Sequence, residues 1–244
     1  MNNTHKILLI GHNGFVGSLL KKEKLTNLNF ILVSSSDLLD PLKENFVKKK
    51  IIEADLVILL SFINSNKLEN LMYKNKDIIN KVYDYIKKYN KRLFFISSDS
   101  ADHSLTPYGK SKIECENILS RLNKFWYIRP GPIYHDNKNI FKGILNYILN
   151  SKKIIVPLPK KGNFNVKTLS IEKLLSIIEG IMNGKFNKGI IKIDPVLLSQ
   201  FLKNKNKTLI LLNIPKLIIV LIQYMPKAIK NRLPLDLIFN AYND

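Results

Sequence analysis

The sequence predicts an α/β fold: a doubly wound parallel sheet with a smaller C-terminal lobe. Three observations carry this expectation. Short apolar runs alternate with helical patterns through the first half of the chain, as strands alternate with crossover helices. Glycines stand at positions 11, 14 and 17, between the first apolar run and the first helical one. The first four apolar runs lead into Gly or Ser, as expected at the carboxyl edge where such sheets bind ligands.

Strands are expected at 6–10, 30–33, 56–60, 93–97 and 125–129, and helices around 15–24, 42–50, 74–89 and 108–122. The first apolar run is short and leads straight into glycines, so it reads as a strand and not as a signal peptide. After Arg129 the texture changes. RPGPIYHDN is rich in turn residues, 140–149 has a helical pattern, and IIVPLPKKGNFNV, with two prolines and a glycine, reads as an extended loop. A helix at 171–182 and a strand at 189–193 follow, and no internal repeat is visible.

The 244 residues can bury a sizeable core, and 45% apolar content is ordinary for a globular protein. The single cysteine, Cys115, rules out an internal disulfide, and a cytoplasmic protein is the simplest expectation. A net charge of +20 invites a nucleic-acid reading, but only Arg92, Arg121, Arg129 and Arg232 are arginines. Arginine supplies most bidentate base and phosphate contacts, and the lysines here are scattered, so no nucleic-acid partner is expected. Such a positive field remains compatible with gathering anionic small molecules.

The stretch from Thr208 onward is the most apolar part of the chain. Its longest unbroken apolar run is six residues, 217–222, and Pro215 and Pro226 cut it into pieces too short to span a bilayer. Core-packed helices are one reading. An interfacial segment presenting Lys227, Lys230 and Arg232 to lipid headgroups, hence a peripheral membrane contact, is the other.

In KILLIGHNGFVGSLL the glycines have separate uses. Gly11 permits a tight turn, Gly14 lets the backbone approach a pyrophosphate, and Gly17 lets the helix pack closely on the strand. Amides at the helix start then face the phosphate charge. A Rossmann-like dinucleotide site follows, with 1–130 as the dinucleotide-binding domain and 131–244 as a smaller, partly interleaved substrate-binding lobe.

YGKSK adds a chemical motif: Tyr108 and Lys112 are an i, i+4 pair on one helix face. A phenol has a reference pKa near 10, too high for a base at neutral pH, and a nearby ammonium lowers it. Thr106 and Pro107 read as helix cap and first helical residue. A hydroxyl from the serines that follow RLFFI could steady a substrate oxygen as hydride moves.

GHNGFVG with YGKSK resembles the short-chain dehydrogenase/reductase superfamily, and within it the extended branch of nucleotide-sugar epimerases, dehydratases and 4-keto reductases. The resemblance runs over about residues 5 to 190, and includes DLLDP, ADLVILLSF and YIRPGPIY. It implies an NAD or NADP cofactor contacted by Gly11, Asn13, Gly14, Phe15, Val16, Gly17, Ser34, Asp37, Leu38, Ser61 and Asn75. It also implies a catalytic set of Ser98, Tyr108 and Lys112, with Lys112 holding the nicotinamide ribose, and substrate contacts from Asp99 and Arg129. Ser34 stands where NAD-preferring members carry an acidic residue, which makes NADP plausible, while Asp37 could still reach the ribose or adenine.

Asp99 is followed by Ser100, so the Asp-Glu pair typical of family dehydratases is incomplete. That disfavours dehydration and leaves 4-keto reduction or 4-epimerisation of a nucleotide-linked sugar. Only nine residues, 99–107, separate Ser98 from Tyr108, where relatives have a longer link. They can span about 30 Å extended, so reach is no obstacle and the substrate-facing loop must be minimal. His5, His12, His103 and His135 show no metal-ligand spacing, and no metal is expected. Two alternatives stay open: a non-catalytic dinucleotide-binding regulatory or scaffold protein, and a membrane-associated oxidoreductase on a lipid-linked sugar. A homodimer is also left open.

Overall fold

A computed structural model describes residues 4–23, 27–60, 68–103, 106–136, 138, 140–141, 143–150, 155–206 and 210–214. Two compact units divide the chain: Met1–Pro130 with Ile171–Lys192, and Gly131–Ser170 with Ile193–Asp244. The segment 171–192, within the 131–244 range read as a partly interleaved lobe, is part of the first unit.

The first unit alternates strands and helices in chain order: β1 (His5–Ile10), α1 (Phe15–Leu20), β2 (Leu28–Val33), α2 (Ser35–Leu39), α3 (Glu44–Glu53) and β3 (Leu56–Leu59). It continues through α4 (Leu68–Lys88), β4 (Arg92–Ile96), α5 (Ser100–His103), α6 (Pro107–Leu119) and β5 (Phe125–Ile128). The chain then enters the second unit with β6 (Ile133–Tyr134), α7 (Gly143–Asn150), β7 (Ile155–Pro159), β8 (Asn165–Val166) and β9 (Leu169–Ser170). It returns to the first as α8 (Ile171–Met182) and β10 (Gly189–Ile190), and ends its described course in the second as β11 (Val196–Leu197), α9 (Leu198–Lys205) and β12 (Ile210–Ile214).

The six strands of the first unit form one sheet in the order β10-β5-β4-β3-β1-β2. Every pairing in it is parallel, so the chain has an α/β, Rossmann-like doubly wound fold. The uniform apolarity of the central strands explains the architecture. Ile7, Leu8, Leu9 and Ile10 are fully buried, as are Leu56, Val57, Ile58 and Leu59, because helices cover both faces of a parallel sheet. Each aliphatic side chain so buried contributes about 1.5–3 kcal/mol before conformational entropy is subtracted. Strand order reverses between β1 and β3, and the glycine turn after β1 lies at that switch point.

Crossover helices of such a sheet end at its opposite edge, where their carbonyls carry negative partial charge. Cations meet them there. Lys91 Nζ donates to the Ile52 and Ala54 carbonyls (2.5 and 2.9 Å), Arg92 Nη1 to the Met182 carbonyl (3.2 Å), and Lys124 Nζ to the Asn90 carbonyl (3.3 Å). Part of the basic excess therefore serves the ends of α3, α4 and α8.

The second unit has its own core of Phe141, Leu145, Ile148, Leu158, Phe164, Val166, Leu198, Phe201 and Leu202. Tyr134 stacks on Phe141 (5.7 Å between ring centroids) and meets Phe201 edge-on (5.2 Å). IIVPLPKKGNFNV, expected as loop, contains β7 and β8. Ile210–Ile214, expected as the start of core-packed helices, is instead β12, parallel to β7. Leu211 packs against the core while Ile210 and Leu212 on either side of it are about half exposed, as alternate residues of a strand face opposite ways. The remainder of the apolar stretch, with Lys227, Lys230 and Arg232, lies outside the described residues. Among the described residues no helix is long and apolar enough to cross a membrane.

Candidate functional site

The turn after β1 is built as the glycine spacing requires. Gly11 has φ 93°, a left-handed conformation that costs a glycine nothing, and its carbonyl accepts from Gly14 N at 3.1 Å. A Cβ on Gly17 would lie 2.5 Å from His12 Cα and 2.8 Å from the Gly11 carbonyl oxygen, so only glycine lets α1 sit directly on the turn. Asn13 and Gly14 are exposed, and Phe15 and Val16 are half-buried. His12 Nδ1 is buried without a hydrogen-bond partner, an uncommon cost that a phosphate or ordered water at the turn would relieve.

At the end of β2 the residues expected near adenine and ribose hold one another. Ser34 caps α2: its Oγ accepts from Asp37 N (3.0 Å), and Asp37 Oδ2 accepts from Ser34 N (3.1 Å) and Ser34 Oγ (2.7 Å). Lys43 pairs with the other carboxylate oxygen at 2.5 Å. The Lys43 contact, then the Ser34 hydrogen bonds, pull the Asp37 pKa down to about 2, so the group is anionic at neutral pH. Leu38 is 3% exposed and belongs to the hydrophobic core, which leaves its side chain little surface for a cofactor. Asn75 is fully buried within α4, and Ser61 lies outside the described residues.

The Tyr-Lys helix starts where the sequence places it. Thr106 Oγ1 accepts from Gly109 N at 3.0 Å, Pro107 is the first helical residue of α6, and Tyr108 is half-buried. Lys112 is 3% exposed, a rare situation for a lysine. Its Nζ donates to the Ile96 carbonyl at 2.9 Å and lies 5.7 Å from the Tyr108 ring centroid and 4.7 Å from that of Phe95. Burial lowers its pKa to about 7, against an upward pull from Cys115 and Glu116. The same burial pushes the Cys115 thiol up to about 12, so this cysteine is no nucleophile at neutral pH.

The depressed lysine pKa sets a linkage. Between about pH 7 and the ordinary lysine value the unfolded chain carries one more proton at this position than the folded one. Stability from this group therefore rises with pH through that window and is lost as pH falls to 7. Relative to Lys112→Met, the wild-type protein should gain up to about 1.4 kcal/mol per pH unit there, read from urea unfolding at pH 7 and 9.5. A difference between the two proteins that does not change with pH would contradict the lowered pKa of the buried lysine.

Ser98, just beyond β4, is buried, with its Oγ 3.2 Å from Asp99 Oδ1, 3.4 Å from Ser100 Oγ and 3.3 Å from Ser100 N. The link to Tyr108, expected as a plain loop, begins with the helical turn α5. A Cβ on Gly109 would lie 2.1 Å from the Ser100 carbonyl oxygen, so α6 seats directly on that turn beside Tyr108.

Arg129 departs from expectation. Its Nε donates to Glu116 Oε1 and Oε2 (3.0 and 3.2 Å), its Nη2 to Glu116 Oε2 (2.5 Å), and its Nη1 to Asp102 Oδ1 (2.8 Å). The Glu116 contact comes first in holding the guanidinium charged. A substrate phosphate would have to compete with two carboxylates for it. Ser97, at the end of the strand expected over 93–97, donates its hydroxyl to Glu116 as well.

Glu116 and Gly109 were missed in the sequence. The signal for Glu116 was its spacing, four residues beyond Lys112 and eight beyond Tyr108 on the same helix face. Gly109 had no signal beyond its position next to Tyr108. Among the described residues no group of His, Cys, Asp and Glu could hold a metal ion.

No protein-family model matches the sequence, and no curated protein does. Solved structures do. A dTDP-4-dehydrorhamnose reductase from Bacillus anthracis, in complex with NADP, superposes with TM-score 0.70 at 13% identity over 88% of this chain and 86% of that one. ADP-L-glycero-D-manno-heptose-6-epimerase from Helicobacter pylori gives TM-score 0.65 at 16% identity, over 83% of this chain and 82% of that one. The Bordetella bronchiseptica enzyme WbmG, in complex with NAD, gives 0.62 at 13%, over 84% and 78%. At these identities the likeness is one of fold, and the chain has the doubly wound α/β fold shared by these structures.

Proposed function

We propose that the chain is an NAD(P)-dependent oxidoreductase acting on a nucleotide-linked sugar, by 4-keto reduction or 4-epimerisation. The observation that carries this reading is the Tyr108–Lys112 pair on one face of α6, with Lys112 buried against the carbonyl at the end of β4 and Ser98 two residues beyond that carbonyl. Neighbours in fold that hold NADP, or NAD with UDP, support the cofactor and substrate class.

The residues present fit a dinucleotide. The turn at the strand-order reversal is floored by Gly17, where a Cβ would strike backbone, and it carries the orphaned His12 Nδ1. Gly11, Asn13, Gly14, Phe15, Val16 and Gly17 would hold the pyrophosphate end, with Ser34 and Asp37 beside the adenosine ribose. The Asp37–Lys43 pair puts both a carboxylate and a cation beside that ribose site, which is compatible with a 2′-hydroxyl or a 2′-phosphate, hence with NAD or NADP. The nicotinamide, when bound, gives or takes a hydride.

The chain's own residues move the proton. Tyr108 Oη exchanges it with the sugar oxygen, Lys112 supports the phenolate by proximity of charge, and Ser98 Oγ donates a hydrogen bond to the same oxygen. Asp99 beside Ser98 contacts substrate. Arg129, committed to Glu116 and Asp102, acts on the substrate only if its Asp102 contact opens.

The test is a panel of nucleotide-linked sugars, including dTDP-4-dehydrorhamnose, incubated with purified protein and either cofactor. Stoichiometric loss of absorbance at the reduced-nicotinamide band marks a reductase. Isomer interconversion without net loss marks an epimerase. NAD(P) binding with neither outcome across the panel would favour a non-catalytic dinucleotide-binding role.

A further inference from the structure

We propose that Glu116 is a positioning residue that fixes Tyr108 and Lys112 on α6 against the strand ends bearing Ser98 and Arg129. This rests on the reading of Tyr108, Lys112 and Ser98 as the reaction centre.

Glu116 is 4% exposed, and its carboxylate joins its own helix to two other segments of chain. On α6 it follows Tyr108 and Lys112 at intervals of four, so all three lie along one face. At the end of β4 it accepts from the Ser97 hydroxyl. At the end of β5 it accepts three hydrogen bonds from Arg129, at 2.5, 3.0 and 3.2 Å. Arg129 extends the linkage to Asp102 on α5.

The consequence is a double attachment next to Ser98. Lys112 Nζ bonds the carbonyl of Ile96, and Glu116 bonds the side chain of Ser97. The backbone on either side of Ser98 is also pinned to the end of β5, by Ser97 N to the Ile128 carbonyl and Asp99 N to the Pro130 carbonyl, each at 2.9 Å. Ser98 is thus held from both flanks, and the helix bearing Tyr108 is tied to the flank that precedes it.

A buried ion pair is a weak source of net stability, because desolvating two charges offsets their attraction. Geometry is the stronger reason for one here. Misplacing a catalytic group by about 1 Å can cost on the order of 100-fold in rate.

The test separates positioning from folding. Glu116→Ala removes three hydrogen bonds from the half-buried Arg129, leaves Asp102 as its remaining carboxylate partner, and can lose stability for that reason alone. The paired variant E116M/R129M removes both charges, fills the space and should keep its melting temperature. Amide exchange in the ligand-free paired variant should speed up at least tenfold at 97–102, with amides of 7–10 and 56–59 unchanged. With the sugar that the panel identifies, kcat should fall at least tenfold while KM for NADPH stays within threefold. Unchanged exchange at 97–102, a uniform rise across the sheet, or full kcat in the paired variant would each overturn the proposal. Exchange needs no substrate, so it judges the role of Glu116 even if Tyr108 proves dispensable; full turnover in a Tyr108→Phe protein would sink the functional reading alone.

Discussion

Tyr108→Phe should lower turnover by about three orders of magnitude, within the range of removing one general acid–base group, while NADPH binding persists. The substitution deletes one oxygen and keeps the ring that lies 5.7 Å from Lys112 Nζ, so the lysine keeps its neighbour and its bond to the Ile96 carbonyl. What disappears is the proton carrier. A phenol with its ordinary pKa near 10 is a poor base at neutral pH, and an ammonium close by is what makes it useful. Two measurements on one preparation check this: nicotinamide absorbance with the sugar, and fluorescence titration with NADPH. Turnover within tenfold of wild type would remove Tyr108 from the mechanism. Loss of NADPH binding together with turnover would make it a cofactor ligand first.

Gly109→Ala should cost both stability and rate, although it adds a single methyl group. That carbon would stand 2.1 Å from the Ser100 carbonyl oxygen and 2.9 Å from its carbonyl carbon, and neither is the flexible end of a side chain. Either α6 lifts off α5 or the turn after Ser98 moves, and both separate Tyr108 from Ser98. Overpacking of this kind costs about 1–3 kcal/mol, and misplacement of the reacting groups should lower kcat by about 100-fold. Thermal unfolding and steady-state kinetics at a temperature where the variant is fully folded check the two effects separately. Gly184→Ala is the comparison: nothing lies within 4 Å of its added Cβ, so its cost should come from the left-handed φ of 71° alone, and kcat should stay at wild type. A Gly109→Ala protein with wild-type kcat would show that the close seat of α6 does not matter for chemistry.

Much of the first unit could be read from local pattern. Continuous apolar runs such as 7–10 and 56–59 are buried on both faces, and only strands inside a parallel sheet meet that condition here. The helix start at Thr106 and Pro107, and the turn at Gly11 to Gly17, depend on cap chemistry and backbone freedom that individual residue types carry with them. The second unit was harder to read. Ile210–Ile214 is apolar except for Asn213, and nothing local distinguishes a strand from a buried helical turn; pairing with β7 decided it. Residues 171–182 form the expected helix, but their membership of the first unit is a matter of long-range contact that periodicity does not carry.

The same division runs through the site. The sequence by itself determined which residues share a helix face, so Tyr108 and Lys112 were legible as a pair, because 3.6 residues per turn is a local rule. It also determined the glycine turn between β1 and α1. Only the tertiary structure decided what those residues touch. It buried Lys112 and so moved its pKa to about 7, gave Asp37 to Lys43 and Ser34, and gave Arg129 to Glu116 and Asp102. The physical reason is that charge and hydrogen bonding depend on partners distant in sequence and on the water that burial removes. A spacing along one helix specifies neither.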